Sequence, residues 1–223
     1  MGETDAWLWP HDAYRARAVV NNAAAETIRP AATIVLWRPS GTGFEVLMGQ
    51  RGHAAAFMPS KYVFPGGGVD AEDTTDALPG LTTDCAHRLT LNCPADAPAP
   101  GTLAMAALRE LTEETGLSLP DPAPGALRFM FRAITPPGRP RRFDARFFLS
   151  SAVGVAGDTE TFSDTLTELS HLHWIGLTQA RALDLPFITE VVLAEVSALL
   201  NGHAQPGVPF FDNLGPVPTF RRL

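Results

Sequence analysis

Lysine is almost missing from this chain: Lys61 stands alone against sixteen arginines, a usage to which no function attaches. Cysteine is nearly as scarce. Cys85 and Cys93, even with His87 between them, fall short of the four ligands of a structural zinc site, so both are expected as reduced thiols. No apolar run approaches the roughly 18 residues of a helical membrane span. Positive charge is in deficit, and a net charge of −7 argues against nonspecific binding to nucleic acid or an anionic membrane. The opening Met1-Gly2-Glu3-Thr4-Asp5 lacks the basic and apolar regions of a secretory signal, so a cytoplasmic location is the expectation. Internal repeats and low-complexity segments are absent as well.

What remains is an ordinary globular composition, 45% hydrophobic and 18% charged over 223 residues, enough for one substantial core. The expected organisation is an N-terminal arm over 1–30, a domain over 31–202 and a tail over 203–223 that runs extended along the surface. The arm, with Trp7, Leu8 and Trp9, is read as covering either its own core or a neighbouring subunit, which would make a homodimer. Ala31–Trp37 is apolar and β-branched, as in a strand buried on both faces, and Phe44–Met48 follows it as the second arm of a hairpin. Further strands are expected over 126–134, 142–149 and 172–175, and a final helix over 187–200 with Gly202 ending it.

Chemistry concentrates in one stretch. Apolar residues at 104, 105, 108, 111 and 115 have the three-and-four spacing of a helix with one face in a core. Glu110, Glu113 and Glu114 then converge on a patch about one turn long. Three carboxylates near a helix C-terminus repel one another and oppose the helix dipole. Arg109, four residues before Glu113, offsets part of that cost. A hard divalent cation such as Mg²⁺ or Mn²⁺ would offset the rest, because these ions prefer carboxylate oxygens and bring substrate phosphates as further ligands. A plain solvated helix face is the alternative.

Arg109-Glu110-Leu111-Thr112-Glu113-Glu114-Thr115-Gly116-Leu117 resembles the second half of the Nudix box, R-E-U-x-E-E-x-G-U, at every specified position. Phe64-Pro65-Gly66-Gly67-Gly68 resembles the glycine loop that opens it. The first Glu of the box is missing from both places where it is expected. Counted from Gly67 its position is Asp73, counted back from Arg109 it is Gly101, and these lie 28 residues apart. The box therefore carries an insertion, over 71–100, read as either a lid near the site or a surface elaboration. Glu72 or Asp73 is placed to fold back in place of the missing Glu.

The resemblance implies an α/β fold, the Nudix α/β/α sandwich with a mixed sheet, and hydrolysis of a diphosphate bond in a nucleoside diphosphate derivative. It implies Mg²⁺ or Mn²⁺ on Glu110, Glu113 and Glu114, with Arg109 orienting the carboxylates and Glu113 or the loop residue Glu168 taking a proton. Gly66 and Gly67 would let the backbone approach metal and phosphate. The long insertion resembles the branch of coenzyme A diphosphatases, whose signature is matched by Leu47, Arg51 and Phe64–Gly67. Gly52, Ala56 and Ser60 depart from it, Ser60 standing where the signature has Gly. Coenzyme A or acyl-coenzyme A therefore leads as substrate, with ADP-ribose and NADH behind, and a nucleotide-sensing domain without catalysis is the alternative function. Arg51 is expected at a substrate phosphate. Six arginines against one aspartate over 128–146 give a local +5, from which Arg142 and Arg146 are expected to face the substrate across from the acidic helix. His171 and His173, two imidazoles without a third ligand, are read as structural.

Overall fold

The apolar run at Ala31–Trp37 lies within a 13-residue strand, β1 (Ile28–Ser40), which runs through the middle of a mixed sheet. Alternation sends Ala32, Ile34 and Leu36 into one core and Val35 into the other, so the strand is apolar on both faces. In this computed structural model the described residues are 27–41, 43–53, 57–162, 169–215 and 217–223. The hairpin partner is β2 (Gly43–Arg51), antiparallel to β1 with Trp37 opposite Val46. Two short strands follow, β3 (Tyr62–Val63) against β2 and β4 (Gly66–Gly68) against β1. Then come β5 (Arg128–Ile134), β6 (Arg142–Ser151) and β7 (Leu169–Gly176). With β8 (Pro209–Asp212) and β9 (Thr219–Arg222) the order is β3-β2-β1-β6-β5-β8-β9, with β4 on β1 and β7 on β2. β1–β6 and β5–β8 are parallel pairs and the other pairings are antiparallel.

Helices cover both faces. One core joins the sheet to α1 (Thr83–Thr90) and α2 (Pro100–Thr115), and the other joins it to the short α3 (Leu177–Ala180) and to α4 (Phe187–Leu200). The expected α/β/α sandwich with a mixed sheet is what the chain forms, and the sheet remains open. The final helix has the expected bounds, and Gly202 follows it at φ +81°. Among the described residues no helix is long and apolar enough to cross a membrane. Most of the N-terminal arm lies outside the described residues.

One expectation is corrected here. The tail is not a surface extension: β8 enters the sheet beside β5, and Phe210 is wholly buried beneath the Arg132 guanidinium, 4.3 Å from its ring. Proline hides this strand from a sequence reading, yet Pro209 is its first residue, where a missing N–H is tolerated. The insertion is anchored to the rest of the fold. Leu81 and Leu89 are in the core, the Gly80 carbonyl accepts from the Gly125 and Leu127 amides at 2.9 Å each, and Arg88 Nη1 donates to the Leu223 carbonyl at 2.8 Å. A segment fixed at so many points is part of the helical layer.

Candidate active site

Pro100 opens α2 at a position where its missing N–H is no loss, and Gly116 closes it in the left-handed conformation at φ +73°. The buried side of this helix is built from small residues, Gly101, Ala104, Ala106 and Ala107, together with Leu103 and Leu111. Met105 and Leu108, expected in the core stripe, are only half-buried. Small residues let the helix lie close to the sheet, and that proximity brings its carboxylates onto β4.

Glu114 is 5% exposed and accepts a hydrogen bond from the Gly66 amide at 2.8 Å. Glu110, one turn earlier, lies against Gly67 so closely that a Cβ there would stand 2.2 Å from its Oε1. Glycine at 67 thus lets the Glu110 carboxylate lie against the strand, and any side chain there would push it away. Gly66 is confined from the other side, by β1: a Cβ there would stand 2.6 Å from the Ala32 carbonyl oxygen. β4 is itself fixed by pairing with Ala31, Ala32 and Thr33 of β1.

Arg109 ties the acidic patch together. Its Nη1 reaches Glu113 Oε2 at 2.8 Å and Glu110 Oε1 at 3.1 Å, and its Nη2 donates to the Gly68 carbonyl at 2.9 Å. It also makes a bidentate pair to Asp73, at 2.9 and 3.1 Å, and lies 3.7 Å from the Asp70 carboxylate. That bond to Asp73 is the main reason the guanidinium is held well above its ordinary pKa, with burial working against it and Glu110 and Glu113 adding to it. Asp73 is 2% exposed, and its carboxylate also accepts the Asp70 amide at 2.8 Å in a 3-10 turn over Ala71–Asp73. Of the two candidates for the missing box carboxylate, Asp73 thus takes the place on Arg109, and Glu72 is exposed. The other counted position is closed: a Cβ on Gly101 would lie 1.9 Å from the Ala77 carbonyl oxygen, so the insertion excludes any side chain there.

The remaining candidates divide. Arg51 ends β2, where its backbone bonds to Ser60 and Lys61 on the segment leading to β3. Glu168 lies outside the described residues. Arg146 does not face a substrate: it is 1% exposed, its Nη1 contacts the Asp144 carbonyl and carboxylate at 2.9 Å each, and its Nη2 points to Cys93 Sγ at 3.4 Å. Arg142 binds the Thr135 and Asn213 carbonyls at 2.9 and 2.8 Å, tying the β5–β6 turn to the end of β8. The expected basic face is in part internal, because Arg132 is also buried and holds Asp144 through two 2.8 Å bonds. Cys85 and Cys93 are free thiols.

The donor set suits a hard cation. Glu110 and Glu114 meet adjacent residues of one strand, Glu113 shares Arg109 Nη1 with Glu110, and all three offer carboxylate oxygens. Among the described residues no three acidic, imidazole or thiol side chains are gathered, as they stand, into a group that could hold a metal ion by itself. Mg²⁺ does not need one, since it keeps several waters and takes one or two carboxylates plus substrate phosphates. Glu113, whose side chain is 57% exposed, is free to turn from Arg109 without disturbing the core.

No protein-family model and no curated protein sequence matches the chain. Solved structures do. A Nudix hydrolase from Alicyclobacillus acidocaldarius is similar at 25% identity and a TM-score of 0.57, over 81% of this chain and 99% of that one. The Nudix domain of Shewanella oneidensis NrtR, solved as a complex with ADP ribose, is similar at 14% identity and a TM-score of 0.52, over 80% and 94% of the two chains. The fold of this chain is the Nudix fold.

Proposed function

We propose that this chain is a Nudix diphosphohydrolase, cleaving a diphosphate bond in a nucleoside diphosphate derivative with the help of Mg²⁺ or Mn²⁺. The observation that carries the reading is the docking of the acidic helix on the glycine strand, where Glu110 and Glu114 reach adjacent residues and Arg109 gathers Glu113. Glu110, Glu113 and Glu114 would hold the cation, which when bound neutralises charge developing on phosphate oxygens and activates water. Arg109, fixed by Asp73, keeps the first two of those carboxylates together. Glu113, the most exposed of the three, is placed to accept a proton from the attacking water, and Glu168 is the alternative acceptor. Arg51, at the end of β2, would pair with a substrate phosphate.

Among substrates we favour coenzyme A or acyl-coenzyme A. Leu47, Arg51 and Phe64–Gly67 support this, and so does Ser60, which stands at the signature's glycine position and has φ +59°. ADP-ribose, the ligand of the NrtR domain, and NADH come next. The test is turnover of these four compounds with Mg²⁺ or Mn²⁺ and with EDTA, followed as release of the two phosphomonoester products. Cation-dependent release from one of them supports the proposal. Tight binding of a nucleotide with no release under any of these conditions would replace it with the sensing role.

A further inference from the structure

Among the described residues the sheet ends on β9, whose four residues Thr219–Arg222 are all exposed and which pairs there on one side only, with β8. Beside this edge lies an aromatic group, with Phe211 6.2 Å from Phe187 and 6.5 Å from Phe220 between ring centroids. Phe187, Phe220, Val217 and Leu214 are each more than half exposed. An unpaired edge flanked by apolar surface is a place where chains add a strand. Pairing with a second copy of the same edge is disfavoured by charge, because it would bring two exposed Arg222 side chains to one interface, Arg221 being already paired with Asp212.

This chain contains a segment of the opposite character. Residues 1–14 carry Glu3, Asp5 and Asp12 with no lysine or arginine, and Trp7, Leu8 and Trp9 in a row. The geometry brings the start of β1, to which that segment leads, to the same end of the sheet as the β8–β9 turn. Ile28, at the start of β1, is opposite Arg142 of β6, and Arg142 Nη2 donates to the Asn213 carbonyl in the β8–β9 turn at 2.8 Å. The chain thus enters β1 one strand and one arginine side chain away from that turn. Four strand spacings of about 4.8 Å separate β1 from β9, a distance that the residues between Trp9 and Ile28 span several times over when extended.

We propose that residues Glu3–Trp9 dock along the β9 edge of their own chain. Trp7, Leu8 and Trp9 cover Phe220 and Val217, and Glu3 and Asp5 lie beside Arg222. Backbone pairing supplies the affinity, and the charges exclude the edge from other copies.

Hydrogen exchange on the full-length protein tests this at low protein concentration, where the monomer predominates. Amides of residues 3–9 and 219–222 are expected to exchange about tenfold more slowly than in the double variant Trp7→Ser/Trp9→Ser. That variant changes only residues outside the described fold, so exchange in β1 and α4 reports any general loss of stability. The variant Arg222→Glu should release residues 3–9 in the same way. Free exchange of residues 3–9 in the unaltered chain overturns the proposal. So does protection that survives both variants, or protection that appears only as rising concentration drives dimer formation, which assigns the segment to a second copy.

Discussion

Two charged clusters share one row of the sheet. Arg132, Arg146, Ala32 and Gly67 are register partners across β5, β6, β1 and β4, and the helical layer of α1 and α2 covers them all. At one end of the row Glu110 stands over Gly67 with Glu113 and Glu114 near it, and at a partly open surface a single arginine gathers Glu110 and Glu113 while Glu114 takes the Gly66 amide. At the other end two guanidinium groups share Asp144 in the interior. Burial weighs on both of these arginines. Arg132 nevertheless stays above its ordinary pKa because it holds Asp144 through two bonds, while Arg146, with a weaker share of that carboxylate, falls below it. An excess of one charge is tolerated near water, where a counter-ion can arrive. In the interior each surplus charge has to be met by the protein, and Arg132 and Arg146 meet the Leu91 and Asn92 carbonyls and the Cys93 sulfur of the insertion. The acidic end is thus suited to binding, and the basic end secures the inserted segment ahead of the box helix.

The largest effect separating the two ends belongs to Glu113. Glu113→Gln keeps shape and loses the charge, and is expected to lower kcat by roughly 10²–10⁴-fold if this residue takes the proton, with the urea midpoint unchanged because the side chain is exposed. Unaltered turnover on the best substrate of the panel would remove Glu113 from the chemistry. Asp144→Ala is the converse. It leaves two buried guanidinium groups without their carboxylate and should cost about 3–5 kcal/mol in urea denaturation, with the activity of the surviving folded fraction little changed. A loss below about 1 kcal/mol would mean that water already screens this pair.

A smaller effect of the opposite sign is expected from Arg146→Met. Among the described residues Arg146 Nε has no hydrogen-bond partner, and the residue carries the less compensated of the two buried charges. An apolar chain of similar length should leave stability unchanged or raise it by about 1 kcal/mol, with KM unchanged. A large rise in KM in a stably folded variant would restore the substrate role read from the basic run.

The acidic end was legible in sequence because its chemistry is local: Arg109, Glu110, Glu113 and Glu114 lie within two turns of one helix, and helical spacing alone puts them on one patch. Asp73 was legible only as one of two options. It lies 36 positions from Arg109, and the choice between it and Glu72 depends on a turn whose Asp70 amide holds the Asp73 carboxylate. The basic end was misread for a related reason. Alternation along β6 correctly put Asp144 and Arg146 on one face, but nothing local told that α1 and the 91–93 turn would cover that face. β8 went unseen because a four-residue strand bounded by prolines has too few residues to show a period, and its partner β5 is more than 70 residues away.

The smallest expected effect tests the loop beside Arg51, the one candidate cation whose role rests on the family signature. Ser60 has φ +59°, a conformation that costs a residue with a Cβ about 1–2 kcal/mol and glycine almost nothing. Its backbone is what the fold uses: the Ser60 amide donates to the Arg51 carbonyl at 3.1 Å, and its carbonyl accepts from Gln50 Nε2 at 2.9 Å. Both bonds survive Ser60→Gly, while the greater freedom of glycine in the unfolded chain takes back part of the gain. A net stabilisation of about 0.5–1 kcal/mol is therefore expected, read as a rise in the urea midpoint at constant slope. A fall in the midpoint would show that the Ser60 side chain contributes more than its backbone strain costs. The glycine of the signature would then not be interchangeable with this residue, which would weaken the case for coenzyme A over ADP-ribose.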